Sequence, residues 1–185
     1  QFKVAVLASG ISGDFKLGKP EKILCYCAEF DAGHDIPLTV FLDNEKAKGF
    51  YGWVMPLGDG RLELGIGARR SELRSTKILK ERLFELPGLS EFKSHSPRRE
   101  SIGALPQSLI DRLCGDNFCL IGDANGGEPL MGASIHKCID EAIIAVRSID
   151  KSLSNDVSFN DLFMASWNDK FLVDFRRQQK IRQVL

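Results

Sequence analysis

The chain has 185 residues, of which 43% are hydrophobic and 27% charged, so it can bury a core and has the composition of a globular protein. Lys plus Arg and Asp plus Glu are equal at 25 each, which excludes a global charge favouring nucleic acid or an acidic partner. No apolar run approaches a membrane span, no signal-peptide pattern occurs, and five cysteines without a CxxC pair indicate reduced thiols, so we expect a cytoplasmic protein.

The N-terminal run, 1–9, is β-type and has no initiator Met, and the chain stops at Leu185 without a Gly or Pro stop signal. We therefore expect a piece cut from a longer protein. From Ile23 to Arg69, short apolar runs alternate with turns, which predicts an antiparallel meander. Its strands are predicted at 23–30, 37–42, 50–55 and 61–67, and a helix at 75–86 and a strand at 100–106 follow. In the fourth strand, Arg61 and Glu63 alternate with Leu62, Leu64 and Ile66, which predicts one solvated face and one packed face.

The third predicted strand concentrates aromatic side chains. On an extended strand, Tyr51, Trp53 and Met55 project to one face, whereas Phe50 and Val54 project to the other. Such residues commonly form a core, and the alternative is one wall of a pocket for a hydrophobic ligand. The pattern alone leaves both interpretations open.

The stretch from Asn117 to His136 predicts a buried strand, an abrupt turn at Gly122 and Asp123, a Gly/Pro loop, and a helix that begins near Gly132. This arrangement aims backbone N–H groups and a helix N-terminus at one spot, which suits an anionic or strongly hydrogen-bonding ligand. An ordinary strand–loop–helix connection, whose glycines only make the turn, explains the pattern equally well.

The following helix carries a strong apolar stripe with helical spacing. We expect this stripe to pack on a sheet, with Lys137 and Glu141 paired on the opposite side. The stripe consists of Ile135, Cys138, Ile139, Ala142, Ile143, Val146 and Ile149.

Ser158, followed by Asp161, predicts the N-cap of the last helix. The far end of that helix is basic, which fits the helix dipole, and contact with a membrane surface is the alternative. Its basic residues are Arg176, Arg177, Lys180 and Arg182.

The chain offers little side-chain chemistry. Its three histidines are scattered, no group has metal-site spacing, and no serine or cysteine has the surroundings of a nucleophile. We therefore predict no catalytic side chain and no metal, and if the chain belongs to an enzyme, a cofactor performs the chemistry.

Two segments together resemble geranylgeranyl reductase-like flavoproteins of the p-hydroxybenzoate hydroxylase-type superfamily. Segment 50–67 is similar to their YxWxFP…VGxG hairpin, and segment 120–132 is similar to their second flavin motif, GDAAG…P…GxGI. Ala8-Ser-Gly10 with Ser12 is similar to their ADGxxS turn. The order and spacing agree over nearly the whole chain.

The resemblance implies an FAD-dependent oxidoreductase that saturates isoprenoid double bonds, such as those of geranylgeranyl groups, by hydride transfer from reduced flavin. Its motif Asp contacts the ribityl chain, which carries over to Asp123. The implied partners are a prenyl-lipid substrate and an electron donor such as NAD(P)H or ferredoxin, whereas contact with a membrane surface stays the alternative interpretation of the basic helix end. The implied cofactor-binding residues are Gly122, Asp123, Ala124, Pro129, Gly132, Ala133 and Ser134, and the implied substrate-binding residues are Tyr51, Trp53 and Pro56.

The implied fold is α+β. It combines an antiparallel substrate-domain sheet with a strand–helix piece of a Rossmann-like FAD-binding domain and with C-terminal helices. The expected segments are the tail of the FAD-binding domain at 1–20, the substrate-binding sheet at 21–107, the second flavin motif at 108–152, and the C-terminal helix at 153–185.

The chain also departs from the family pattern. The loop before Pro129 is one residue shorter, Asn125 replaces an alanine, and Ser134 replaces a glycine. The N-terminal GxGxxG unit, which holds the ADP half of FAD, does not occur in this sequence. We therefore expect these residues alone to be inactive, and whether they hold FAD stays open.

Two other interpretations remain. A module that binds lipid or another hydrophobic ligand without flavin would use the same aromatic sheet. A flavin monooxygenase or a FixC-type dehydrogenase would share the flavin motif and act on another substrate.

Overall fold

A computed structural model describes residues 3–12, 20–33, 36–130, 132 and 134–182. The predicted α+β class is confirmed. The strands are β1 (Ala5–Leu7), β2 (Lys22–Asp31), β3 (Thr39–Phe41), β4 (Gly52–Gly58), β5 (Arg61–Arg69), β6 (Arg99–Pro106), β7 (Cys114–Gly115) and β8 (Phe118–Leu120). The α-helices are α1 (Lys77–Leu83), α2 (Ile135–Asn155), α3 (Phe159–Trp167) and α4 (Val173–Arg182).

The chain divides into two compact units. The first consists of Gln1–Glu21 and Pro106–Ile181, and the second of Lys22–Leu105 and Arg182–Leu185. Within the described ranges, no helix combines the length and apolar character that crossing a membrane requires.

The second unit is built on a five-stranded sheet with the order β3-β4-β5-β2-β6. The predicted antiparallel pairing holds from β3 through β4 to β5. The predicted meander order is wrong for β2, which pairs with β5 instead of β3, from Ile23 opposite Arg69 to Asp31 opposite Arg61. The long strands β2 and β5 satisfy each other's backbone groups along their full length, which the three-residue β3 could not do for β2.

The core of the second unit lies between this sheet and α1. The predicted alternation along β5 is confirmed, because Leu62, Leu64 and Ile66 are at most 1% exposed. They pack with Leu79 and Leu83 of α1. Burying each such side chain stabilises the fold by about 1.5–3 kcal/mol.

The aromatic strand departs from the predicted faces. Phe50 precedes β4 and packs with Ile23 and Cys25, next to Trp53, whereas Val54 belongs to the core below α1. Phe50 and Val54 therefore do not share a face, because the chain is not yet extended at Phe50 and the strict alternation of a strand does not apply there.

The first unit contains a three-stranded sheet with the order β1-β8-β7. β1 runs parallel to β8, with Val6 opposite Cys119, and β7 pairs with β8 in an antiparallel hairpin. The core beneath this sheet includes Leu120, Phe163 and Trp167, each at most 1% exposed. These strands place the turn after β8 beside the start of α2.

The predicted orientation of α2 is wrong. Ile135, Ile139 and Val146 of the apolar stripe are 80%, 59% and 65% exposed, whereas Lys137 and Glu141 are 5% and 0% exposed. The helix packs its charged face inward because that face meets hydrogen-bond partners in the turn after β8 and in α3. These partners offset part of the penalty that an isolated buried charge would carry.

The predicted N-cap of the last helix is confirmed, since the Ser158 side chain accepts a hydrogen bond from the Asp161 N–H at 3.3 Å. α3 then continues through a π-helical turn, Asn168–Leu172, into α4.

Candidate functional site

The turn after β8, Gly122–Asn125, is a single 3-10 turn that begins with Gly122 at φ +63°. A Cβ at Gly122 would lie 2.9 Å from the Cys138 Sγ of α2, so both the backbone conformation and the close approach require glycine. The Gly122 N–H donates to Glu141 Oε2 at 2.6 Å. The sequence pattern predicts that backbone N–H groups of this turn face a ligand, and for Gly122 this prediction is wrong, because its N–H is engaged by Glu141 within the protein.

Asp123 follows directly and is fixed from the other side of the loop. Ser134 Oγ donates to Asp123 Oδ1 at 2.5 Å, and Ser134 occupies the N-cap position of α2. The structure records no hydrogen bond from a described residue to the second oxygen, Oδ2. One carboxylate oxygen is thus anchored, and the other can accept a hydrogen bond from a ligand.

A cavity of about 400 Å³ opens beside this carboxylate. It brings together Gly122, Asp123 and Ser134 of the predicted cofactor-binding residues, and Ala8 and Gly10 of the predicted N-terminal turn. The rest of its wall consists of Ile121, Ile135, Cys138, Ile139 and Ala142. The cavity therefore combines an apolar wall with a single oriented carboxylate at the start of a helix.

The remaining predicted cofactor-binding residues lie outside this cavity. Ala124 is half-buried in the turn, and Pro129 is buried beside a small separate pocket. The Gly132 N–H donates to Glu128 O at 3.3 Å, which closes the Gly/Pro loop on itself. Ala133 lies outside the described residues.

The sequence pattern does not identify two residues of α2 that hold the turn in place. Glu141 and Lys137 form an ion pair at 3.0 Å and are buried behind the turn. Their spacing of four residues predicts the pair, whereas their burial depends on partners in other segments. Among those partners is Asn125, one of the two residue replacements relative to the family pattern in this region, and it donates to Glu141 at 2.7 Å.

The predicted substrate-binding residues lie in the second unit. The Tyr51 ring stacks on Phe50 with centroids 4.2 Å apart and meets Trp53 edge-on at 5.8 Å. Trp53 Nε1 donates to Glu63 Oε1 at 2.9 Å, and its indole covers Gly65 of the neighbouring strand. Pro56 is exposed. Tyr51 and Trp53 therefore form a fixed, half-buried aromatic patch.

The cysteines behave as packed apolar groups. All five are free thiols. Burial, with a smaller contribution from Cys27, raises the pKa of Cys25 to about 12, and burial raises the pKa of Cys27 to about 11, so both remain protonated near neutral pH. Within the described part of the chain, no three His, Cys, Asp or Glu side chains group as metal ligands.

No family model matches the chain. Digeranylgeranylglycerophospholipid reductase 1 of Methanopyrus kandleri is 28% identical over 173 residues, which cover 88% of this chain and 46% of that protein. The crystal structure of a geranylgeranyl bacteriochlorophyll reductase-like protein from Thermoplasma acidophilum matches with a TM-score of 0.79 at 20% identity, over 98% of this chain and 49% of that one. A flavin-dependent brominase matches with a TM-score of 0.70 at 20% identity, over 90% of this chain and 48% of that one.

These relatives confirm the resemblance to geranylgeranyl reductase-like flavoproteins. The chain spans about half the length of the curated relatives it matches. Because the two solved structures are only 20% identical to this chain, their similarity shows that the fold is shared and shows nothing about function.

Proposed function

We propose that this chain supplies part of the flavin site of an FAD-dependent oxidoreductase, and that the whole enzyme reduces carbon–carbon double bonds of isoprenoid chains. The observation that carries this proposal is the Asp123 carboxylate, which Ser134 fixes at the edge of the cavity beside the start of α2. The names of the relatives, which are reductases of geranylgeranyl lipids, supply the substrate class.

The residues of the cavity fit a flavin. The ribityl hydroxyls of a flavin can donate to the carboxylate oxygen Oδ2 of Asp123. The flat isoalloxazine ring needs an apolar wall, which Ile135 and Ile139 provide. The start of α2 adds the positive end of a helix dipole, which favours an electron-rich group near Ser134. Any side chain at Gly122 would collide with Cys138.

Flavin, when bound, supplies the hydride chemistry that the side chains of this chain lack. The reduction adds a hydride and a proton to each double bond, and the external reductant replaces the two electrons. The task of this chain is therefore to bind and orient. Asp123 holds the polar part of the cofactor, and the apolar wall excludes water from its ring.

The aromatic patch of the second unit supports an apolar substrate. The Glu63 hydrogen bond and the close packing over Gly65 fix the Trp53 ring, so it offers a rigid apolar surface at low entropic cost. Tyr51 extends this surface, and the exposed Pro56 continues the same strand. An isoprenoid chain is apolar along its length and can therefore pack against this surface.

The test uses the full-length protein that contains this chain. The purified protein should carry a flavin absorption band and, with dithionite as reductant, should add two hydrogen atoms to each prenyl double bond, as measured by mass spectrometry of the lipid. A flavin-bearing protein that leaves prenyl lipids unchanged would contradict the substrate class. If the full-length protein has no affinity for flavin, the proposal that it is an FAD-dependent oxidoreductase is wrong.

The apolar wall of the cavity also favours a second candidate, a module that binds a hydrophobic ligand without flavin. Ile135 and Ile139 are well exposed, and both border the cavity. Such a module would bind a fluorescent fatty acid and would not bind FAD. Competition between the two ligands on the same protein separates these candidates.

A further inference from the structure

The buried pair formed by Lys137 and Glu141 connects α2 to both ends of the turn that carries Asp123. Glu141 Oε2 accepts from the Gly122 N–H at 2.6 Å, at the start of the turn. Lys137 Nζ donates to Gly127 O at 3.2 Å, just beyond its end. The two charged side chains therefore hydrogen-bond to both ends of the segment from Gly122 to Gly127, and Asp123 lies between these two contacts.

The carboxylate of Glu141 is saturated with donors. Its Oε1 accepts from Asn125 Nδ2 at 2.7 Å and from Trp167 Nε1 at 2.7 Å, and it lies 3.0 Å from Lys137 Nζ. Together with the Gly122 N–H, four donors converge on its two oxygens. They come from the turn, from α3 and from α2 itself, so the carboxylate joins three segments.

The ammonium group of Lys137 is equally well matched. Its three N–H donors face Asn125 Oδ1 at 3.0 Å, Gly127 O at 3.2 Å and Glu141 Oε1 at 3.0 Å. The ring of Trp167 lies 5.7 Å from Nζ and completes its surroundings. Every polar atom of the pair is therefore used in fixing its neighbours.

Stability alone does not explain this arrangement. Two buried charges lose their hydration, and apolar side chains of similar volume are often as stabilising or more so. What apolar side chains cannot do is fix the directions of the Gly122 N–H and the Gly127 carbonyl. Asn125, which departs from the family pattern, joins both charges through one amide.

We infer that Lys137 and Glu141 are positioning residues, which hold the segment 122–127 in the shape that presents Asp123 to a ligand. The identity of that ligand as flavin rests on the proposed function, whereas the fixing of the segment does not. The pair acts through the backbone and through Asn125, and neither of its residues lines the cavity beside Asp123.

The test compares Lys137→Met, Glu141→Met and the double variant with the wild-type chain. Each single variant leaves a buried group without its partner and lowers the melting temperature. The double variant removes both charges and recovers much of that loss. Amide hydrogen exchange over residues 122–127 should nevertheless remain at least about tenfold faster than in the wild type, because the contacts to Gly122 and Gly127 are gone.

The matched control is the exposed pair of Asp140 and Lys170, which joins the same helix to the π-helical turn at 2.8 Å. Asp140→Asn should leave exchange over 122–127 unchanged. If the double variant exchanges like the wild type, the pair has no positioning role. If the double variant does not fold, Lys137→Gln replaces it, and unchanged exchange in that folded variant would overturn the inference.

A titration of the flavin-free full-length protein that contains this chain with FAD gives the second readout. The double variant should bind FAD at least about fivefold more weakly than the wild type at a similar melting temperature, since Asp123 is no longer held in place. Equal affinity would overturn the link between the segment and the ligand. Should the wild type itself bind no FAD, the proposed function fails, and the exchange comparison still decides whether the pair positions the segment.

Discussion

Ser134 donates a hydrogen bond of 2.5 Å to Asp123 across eleven positions of chain, and this contact joins the start of α2 to the turn after β8. We expect Ser134→Ala to weaken FAD binding by about five- to tenfold, because a hydrogen bond to a charged group contributes about 1.5–3 kcal/mol and the carboxylate becomes free to rotate. Fluorescence quenching of FAD measures the dissociation constant.

The control for Ser134 is a second serine that caps a helix. Ser158→Ala should lower the free energy of unfolding by about 1 kcal/mol, through loss of the cap to Asp161, and should leave FAD binding unchanged. Equal weakening by both substitutions would mean that Ser134 acts only through stability.

A substitution at Gly65 tests the rigidity of the aromatic patch. In Gly65→Ala, the new methyl group would collide with the Trp53 ring and break its hydrogen bond to Glu63. Acrylamide quenching of tryptophan fluorescence should increase, and the change reports Trp53 because Trp167 is 1% exposed. Gly103→Ala, in open space on the same sheet, is the control. Equal quenching in both variants would contradict the fixed position of Trp53.

The orientation of α2 makes a direct prediction about stability. Ile139→Gln should change the free energy of unfolding by less than about 0.5 kcal/mol, because Ile139 is 59% exposed. Ile144→Ala, on the buried face at 9% exposure, should cost about 2–4 kcal/mol. Urea unfolding measures both values. The reverse order would show that the apolar stripe faces the core after all.

The thiol of Cys138 reports on the cavity. Burial is the main cause that raises the pKa of Cys138, so the reactive thiolate is scarce near neutral pH and increases as the pH rises. Alkylation by iodoacetamide should therefore be slow at about pH 7 and faster at about pH 9.5. Saturating FAD should slow it at both pH values, because Cys138 lines the cavity. If saturating FAD leaves the alkylation rate of Cys138 unchanged, the ligand binds outside this cavity.

Features that depend on neighbouring residues in the sequence could be predicted. The Ser158 cap and the alternation of Leu62, Leu64 and Ile66 follow from local hydrogen bonding and from strand geometry, and both are confirmed. The turn at Gly122 is equally local, since its positive φ requires glycine. The resemblance to the flavoprotein family also depends on such short motifs.

Features that depend on distant partners could not be predicted. The periodicity of α2 favours burial of its isoleucines, because it contains no information about the donors that Gly122 and Trp167 offer to Glu141. The pairing of β2 with β5 is likewise a long-range choice between two possible neighbours. The hydrogen bond between Ser134 and Asp123 belongs partly to each group. The motif identifies the two residues from the sequence, whereas their contact across the loop could not be predicted from it.

The most direct test of the central claim is an equilibrium titration of FAD with the flavin-free full-length protein that contains this chain, as the wild type and as the Asp123→Ala and Asp123→Asn variants. We predict saturable binding to the wild type and at least about tenfold weaker binding to Asp123→Ala, at unchanged melting temperature, because the oriented acceptor is lost. Asp123→Asn, which keeps the shape and one acceptor, should fall between the two. Equal affinity of all three proteins would contradict the assignment of Asp123 as the polar contact of a flavin.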